Sequence, residues 1–258
     1  MNWKHKLAYG LFSHCGNYYK HRREGLRILA YHSVGTPAYR DEMQLYDVSP
    51  LMFKEHIATL AKYQELYISS LANTAVANGK SGVAFTFDDG YIDNLRVVAP
   101  LMEEYEYPWH IFVVTDFIKN KKKGFMTPAD LRELSEYKCV TIGSHGKTHA
   151  RLSVCDDLQL KQELQDSKKY LEDILSKEIN SISYPYGSAN MRVIDSARVA
   201  GYKVGCSSHA NINHSNRDMM CLSRTPIFSY DTTRTFEQKM FGMWDWMKYF
   251  TCDPLVSG

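Results

Sequence analysis

No stretch of this chain approaches the roughly 18 consecutive apolar residues that span a bilayer, and its first residues lack the apolar core, about 7 to 15 residues long, of a secretory signal. Together these absences lead to the expectation of a chain that stays in a reducing cytoplasm. Cysteine motifs are missing too. Cys15, Cys139, Cys155, Cys206, Cys221 and Cys252 are scattered with no Cys-x-x-Cys pair, which excludes a legible zinc knuckle or thioredoxin-like motif and leaves free buried thiols as the expectation. Charge of one sign is equally scarce: 31 basic against 29 acidic side chains leave +2, so no broad surface for nucleic acid is expected. What the chain does have is 258 residues, 44% of them hydrophobic, enough to bury one sizeable core with short tails.

One stretch stands out, Val83-Ala84-Phe85-Thr86-Phe87-Asp88-Asp89-Gly90. The apolar run reads as a buried strand, and it ends on two adjacent carboxylates and a glycine, where backbone and side chains can approach a ligand. Burying two carboxylates side by side is costly unless a metal or several donors compensate. A second strand-like run, Val140-Thr141-Ile142-Gly143-Ser144, leads into His145, with His149 four residues later. An Asp-Asp-Gly turn is common, and two histidines at that spacing often just occupy a loop or a helix face. Together, though, they supply two nitrogens, a carboxylate and one spare carboxylate. A zinc-type catalytic centre needs three N/O ligands, an open position for water and a neighbouring acid or base that is not a ligand. The count matches.

Thr86-Phe87-Asp88-Asp89-Gly90, His145-Gly146-Lys147-Thr148-His149 and Tyr184-Pro185-Tyr186-Gly187 resemble, in order and approximate spacing, the first three motifs of the polysaccharide deacetylases (chitin deacetylase-like, carbohydrate esterase family four). The resemblance covers about residues 26–228. It implies an α/β fold, a distorted (β/α) barrel, and metal-dependent hydrolysis of the acetamide on an N-acetylated sugar. It also implies Asp88 as general base and Asp89, His145 and His149 as metal ligands, with the Tyr186 N–H helping to hold the oxyanion. Mixed N/O ligation suits Zn2+ but admits cobalt, nickel, manganese or iron.

Two departures from the family pattern matter. The usual form carries a leucine-x-histidine motif near the C-terminus for the general acid, whereas residues 229–258 hold no histidine. Permuted members, the poly-N-acetylglucosamine deacetylases among them, carry that acid in a Tyr-His on the first strand. Tyr31-His32, closing the strand-like Leu26–His32, is similar, and His32 is therefore the expected donor to the leaving amine. Many members also have an arginine where this chain has Tyr184, and that arginine orients the catalytic aspartate. Arg224, in Leu222-Ser223-Arg224-Thr225-Pro226, is the expected replacement, against the alternative of a surface ion pair.

The remaining segments read as scaffold and edges. Residues 1–25 form a basic amphipathic stretch with Trp3, Leu7, Leu11 and Phe12 at helical spacing, suited either to an anionic membrane surface or to docking on the barrel. Ser49-Pro50 caps a helix expected over 50–63, and Thr127-Pro128-Ala129-Asp130 caps another. A helix is expected over 94–105, distorted by Pro100. Ser153 with Asp156 resembles a capping box for a long amphipathic helix ending near Ser176. Lys121, Lys122 and Lys123 are either solvated or positioned to meet a phosphate on a carrier-linked sugar. Phe236, Met240, Met243, Trp244, Met247 and Phe250 trace one apolar helical stripe in the final segment, 229–258.

The expected partner is thus an N-acetylated glycan, polymeric or carrier-linked, with peripheral contact to the inner membrane face through the N-terminal segment as a further option. Two rival readings stand beside the deacetylase: a deformylase or other amide hydrolase on a lipid-linked amino sugar, and a catalytically silent carbohydrate-binding module.

Overall fold

The computed structural model describes residues 24–71 and 81–256. The expected N-terminal amphipathic segment falls outside the described residues except for its last two. Among the described residues eight strands make one sheet: β1 (Gly25–Tyr31), β2 (Tyr67–Ile68), β3 (Ser81–Phe87), β4 (Trp109–Val113), β5 (Val140–Ser144), β6 (Ser181–Ser183), β7 (Val204–Cys206) and β8 (Thr225–Pro226). Their order is β7-β6-β5-β4-β3-β1-β8, every paired neighbour is parallel, and β2 adds to β3 off that path. The ring is closed by the chain before β8. Leu222 bridges Cys206, Ser207 N–H donates to the Leu222 carbonyl, and β8 then pairs with β1. The result is a distorted (β/α) barrel in which all strands end at one rim, the face where such barrels place their chemistry.

Strand alternation sorts the core into an inside and an outside. Leu26 and Ile28 of β1, Ala84 of β3, Phe112 of β4, Cys206 of β7 and Leu222 form one buried cluster. Their sequence neighbours Leu29, Tyr31, Val83, Phe85, Phe87, Ile111 and Val113 belong to the larger cluster shared with the helices. The interior is tight: a Cβ on Gly143 of β5 would meet Ser181 Oγ at 2.4 Å and the Phe112 ring at 2.7 Å.

Helices α1 (Pro50–Leu60), α2 (Ala99–Glu104), α3 (Thr115–Lys119), α4 (Pro128–Leu134), α5 (Asp157–Leu175), α6 (Met191–Val199) and α7 (Thr233–Met240) complete the layer. Ser49 caps α1 through its side chain, and Thr127 with Asp130 forms the capping box of α4. The helix expected over 94–105 is distorted upstream of Pro100. Because proline has no N–H, the chain runs through a π-helical turn, Asn94–Val98, in which the Ala99 N–H reaches the Asn94 carbonyl. The capping box of α5 is three residues later than its sequence suggests: Asp156 is itself the cap and pairs with Gln159, while Ser153 bonds Ser188 instead.

The single C-terminal helix expected from the apolar stripe is broken. α7 stops at Met240, Gly242 takes φ 80°, and a 3-10 turn covers Asp245–Phe250. The break lets Arg27 on β1 reach this segment, with Nε donating to the Met240 carbonyl and the guanidinium paired to Asp245 at 2.8 and 3.1 Å. The stripe divides accordingly: Phe236, Met240 and Trp244 are core, and Phe250 is exposed.

Candidate active site

The inner face of each strand carries a period of two, and extending that period past the rim collects the chemistry. On β3, Ala84 is followed at inner positions by Thr86 and Asp88. On β1, Ala30 precedes His32; on β5, Gly143 precedes His145; on β6, the inner residues are Ser181 and Ser183. The closing segment contributes Leu222 and Arg224. Loops after the strands add Asp89, His149 and Tyr186. His32, Asp88, Asp89, His145, His149, Tyr186 and Arg224 all line one cavity of about 450 Å3 at the rim.

Asp89, His145 and His149 make up the first half of the site. Their donor atoms all lie within 4.8 Å of one another. The His145 and His149 Nε2 atoms stand 3.5 and 3.3 Å from Asp89 Oδ1, close to the ~3.4 Å that separates tetrahedral donors each ~2.1 Å from one ion. Asp89 Oδ1 is buried and has no hydrogen-bond partner among the described residues. An orphaned buried carboxylate oxygen facing two imidazole nitrogens is costly without a cation. His145 Nδ1 lies 2.7 Å from the Ser183 carbonyl, and a proton donated there leaves the Nε2 lone pair facing the cluster. Burial pushes the His145 imidazole down to about 4, so it is neutral, the form that ligates. The residues fit a divalent ion with N/O preference.

The second half is Asp88 with Arg224. Arg224 donates through Nη1 to Oδ1 at 2.8 Å and through Nη2 to Oδ2 at 2.7 Å, a two-point fork with both side chains buried. The guanidinium is itself held: Nε donates to the Ser207 carbonyl, Nη1 to Thr86 Oγ1 and Nη2 to Ser183 Oγ. Burial alone would raise the Asp88 carboxyl, but the Arg224 charge and its hydrogen bonds hold it well below the usual carboxylate range. Tyr184, at the family's arginine position, is buried, and its hydroxyl donates to the Met220 carbonyl in the space above Gly205. Arg224 therefore reaches Asp88 from the segment that closes the barrel.

The sequence from residue 75 to 205 matches the polysaccharide deacetylase family, just over half of the chain. The chain belongs to that family. It is 28% identical over 145 residues to YxkH of Bacillus subtilis (strain 168), assigned by name to the polysaccharide deacetylases; the match covers 56% of this chain and 51% of YxkH. The chain thus spans about half the length of that relative. Among solved structures, the Streptococcus pyogenes deacetylase PplD in complex with acetate superposes with a TM-score of 0.74, at 24% identity over 84% of this chain and 98% of PplD. A de-N-acetylase from Aggregatibacter actinomycetemcomitans gives 0.70, at 21% identity over 84% of this chain and 100% of that one. At these identities the two structures establish the barrel as a polysaccharide deacetylase fold.

Two further residues of the site escape sequence reasoning. Ser183 serves both halves: its carbonyl takes the His145 ring proton, and its Oγ donates to Asp88 Oδ2 at 3.2 Å. Glu163, on α5, is buried and reaches the loop between His145 and His149, accepting the Lys147 N–H at 2.8 Å. Neither side chain belongs to a recognisable motif. The only available signal was Glu163 lying next to Leu164 on the apolar face of α5.

Three side chains of the site hold left-handed backbone that disfavours residues with a Cβ: Asp89 at φ 74°, His149 at φ 66° and Tyr186 at φ 59°. Each costs about 1 kcal/mol or more and persists because the surroundings dictate it. His32 brings a ring 4.4 Å from that of Tyr46, with Nδ1 buried and unpartnered among the described residues. Of the three lysines Lys121, Lys122 and Lys123, Lys122 comes to the edge of the cavity, its Nζ 3.1 Å over the ring of the lining residue Tyr39 and 3.7 Å over Phe117.

Proposed function

We propose that this chain is a metal-dependent hydrolase that removes the N-acetyl group from an N-acetylated amino sugar in a polysaccharide, oligosaccharide or carrier-linked glycan, with Zn2+ as the expected ion. The observation that carries this reading is the pairing of an arginine-held Asp88 with the Asp89, His145 and His149 cluster beside it. A divalent ion at that cluster supplies Lewis acidity toward the acetamide carbonyl and lowers the pKa of water.

The residues then divide the work. Asp88, ionised and aimed by Arg224, accepts the proton of the attacking water, at the expense of some basicity. The Tyr186 N–H is the proposed donor toward the oxygen that gains charge, an effect worth a few kcal/mol in acyl transfer. His32, on the same cavity, gives a proton to the amine as the C–N bond breaks. The sugar leaves as a free amine and the acyl group as acetate.

A silent binding module was an option because of Tyr184 and the missing C-terminal histidine. Arg224 on Asp88 and His32 on the cavity wall support the hydrolase reading over that one. The test is acetate release from N-acetylated oligosaccharides by metal-loaded protein, beside chelated protein and Asp88→Asn. Chelator-sensitive release that disappears in Asp88→Asn while metal still binds supports the assignment; an active Asp88→Asn protein overturns the base. N-formylated sugars run in parallel separate deacetylase from deformylase.

A further inference from the structure

Five side chains with a formal charge line the cavity: Asp88, Asp89, Arg224, Arg40 and Arg151. Both carboxylates have their charge answered within the site, Asp88 by Arg224 and Asp89 by the ion its cluster fits. That leaves two guanidiniums. Arg40 lies over the Tyr39 ring with Cζ 5.1 Å from the centroid, and Arg151 lies over Tyr186 at 4.5 Å. Neither has a carboxylate within 4 Å among the described residues, and both are exposed.

Stacking fixes a guanidinium by its face and leaves its in-plane N–H donors open, the geometry suited to taking an oxyanion in a two-point bond. Both stacks line the cavity. Tyr186 under Arg151 is 46% exposed, and its ring also contacts that of His149, centroids 4.4 Å apart, so arginine, tyrosine and candidate ligand line the cavity side by side. The Arg40 side is made more positive by Lys122 on Tyr39, and that ammonium, as hydrogen-bond donor and as charge, draws the Tyr39 phenol below its usual range.

We propose that Arg40 and Arg151 form an anion subsite beside the reacting centre, and that the substrate is an N-acylated sugar bearing an oxyanion, a phosphate ester or a carboxylate, next to the acylated residue. The proposal rests on the deacylase reading of the cavity and narrows its substrate class.

The test presents one N-acetylhexosamine in three forms to the metal-loaded enzyme: the methyl glycoside, the 1-phosphate ester and a disaccharide with a uronic acid. The anionic forms should be preferred in kcat/KM, mainly through KM, and the preference should shrink with salt. In the Arg40→Gln/Arg151→Gln double variant the ratio of anionic to neutral kcat/KM should fall by about tenfold. Whichever anionic form is favoured identifies phosphate or carboxylate as the natural group. Calorimetry of the 1-phosphate with chelated protein excludes direct coordination, and binding should be present there and lost in the double variant. Equal kcat/KM for neutral and anionic forms, or a preference that survives the double variant, overturns the subsite. Arginine-dependent binding of the 1-phosphate with no turnover of any form would support the subsite while overturning the deacylase reading.

Discussion

The Glu163 carboxylate grips Thr148 at two points, Oε2 accepting its backbone N–H at 3.0 Å and Oε1 its hydroxyl at 2.5 Å. Thr148 directly precedes His149, whose backbone is left-handed. A buried acid on a helix therefore fixes the path of a loop whose two ends carry imidazoles. Glu163→Gln replaces one acceptor oxygen by an N–H2 group that opposes the loop donors. Divalent-ion affinity, measured by competition with a chromophoric chelator, should weaken about tenfold while far-UV dichroism stays native. Unchanged affinity would show that the loop holds its shape without the clamp.

Ser183 offers a way to separate the two halves of the site. Ser183→Ala removes the hydroxyl shared by Asp88 and Arg224 but keeps the carbonyl that takes the His145 proton. Turnover should drop by about tenfold, the effect of one lost buried hydrogen bond, with ion affinity within about twofold of the parent. A parallel loss of both would mean the strand itself had moved.

Arg224→Met leaves Asp88 as a buried, unanswered carboxylate. Removing one partner of a buried pair costs about 3–5 kcal/mol, so urea unfolding should show a loss of that order together with loss of turnover. Arg224→Lys restores charge without the fork and should recover stability better than activity. Equal recovery of both would deny the guanidinium an aiming role.

His56 predicts a pH dependence of stability. Its ring stacks on Phe236 at 4.4 Å and 5°, with Nδ1 3.1 Å from the Tyr31 hydroxyl and Nε2 3.0 Å from the Asp231 carbonyl. Burial pushes the imidazole down to about 4. An unfolded histidine titrates near ~6.5, so between these values the unfolded chain binds the extra proton. The His56 contribution is complete above ~6.5 and is lost as pH falls toward 4. His56→Gln keeps one donor and one acceptor without titrating. Relative to the variant, the parent should lose up to about 1.4 kcal/mol per pH unit across that window, read from urea unfolding at a series of pH values. Parallel profiles for the two proteins would exclude His56 as the titrating group.

Much of the site was legible because it stands where strands end. Asp88, Asp89 and His145 follow apolar runs directly, and alternation inside those runs already says which side chains face the barrel. Capping by Ser49 and Thr127 was legible for the same local reason. What stayed hidden depends on contacts distant in sequence: Glu163 is an acid on an amphipathic helix until α5 is packed against the histidine loop, and Ser183 is an ordinary small strand residue until β6 lies beside β5. The break after Met240 was masked because periodicity carries straight across Gly242, while the tertiary pull of Arg27 on Asp245 decides the backbone there. Ser153 failed as a cap because Asp156 offers the stronger acceptor at the true start of the helix.

That pull reaches further than the turn it shapes. Arg27 belongs to the first strand, and Met247 and Thr251, just beyond Asp245, stand on the wall of the reaction cavity. A protein trimmed after Met240 for expression would lose more than a tail. It would leave the buried Arg27 guanidinium without the Asp245 carboxylate and take away part of the cavity wall, so a shortened version that expresses poorly or works badly should be redesigned at its end before the site residues are blamed.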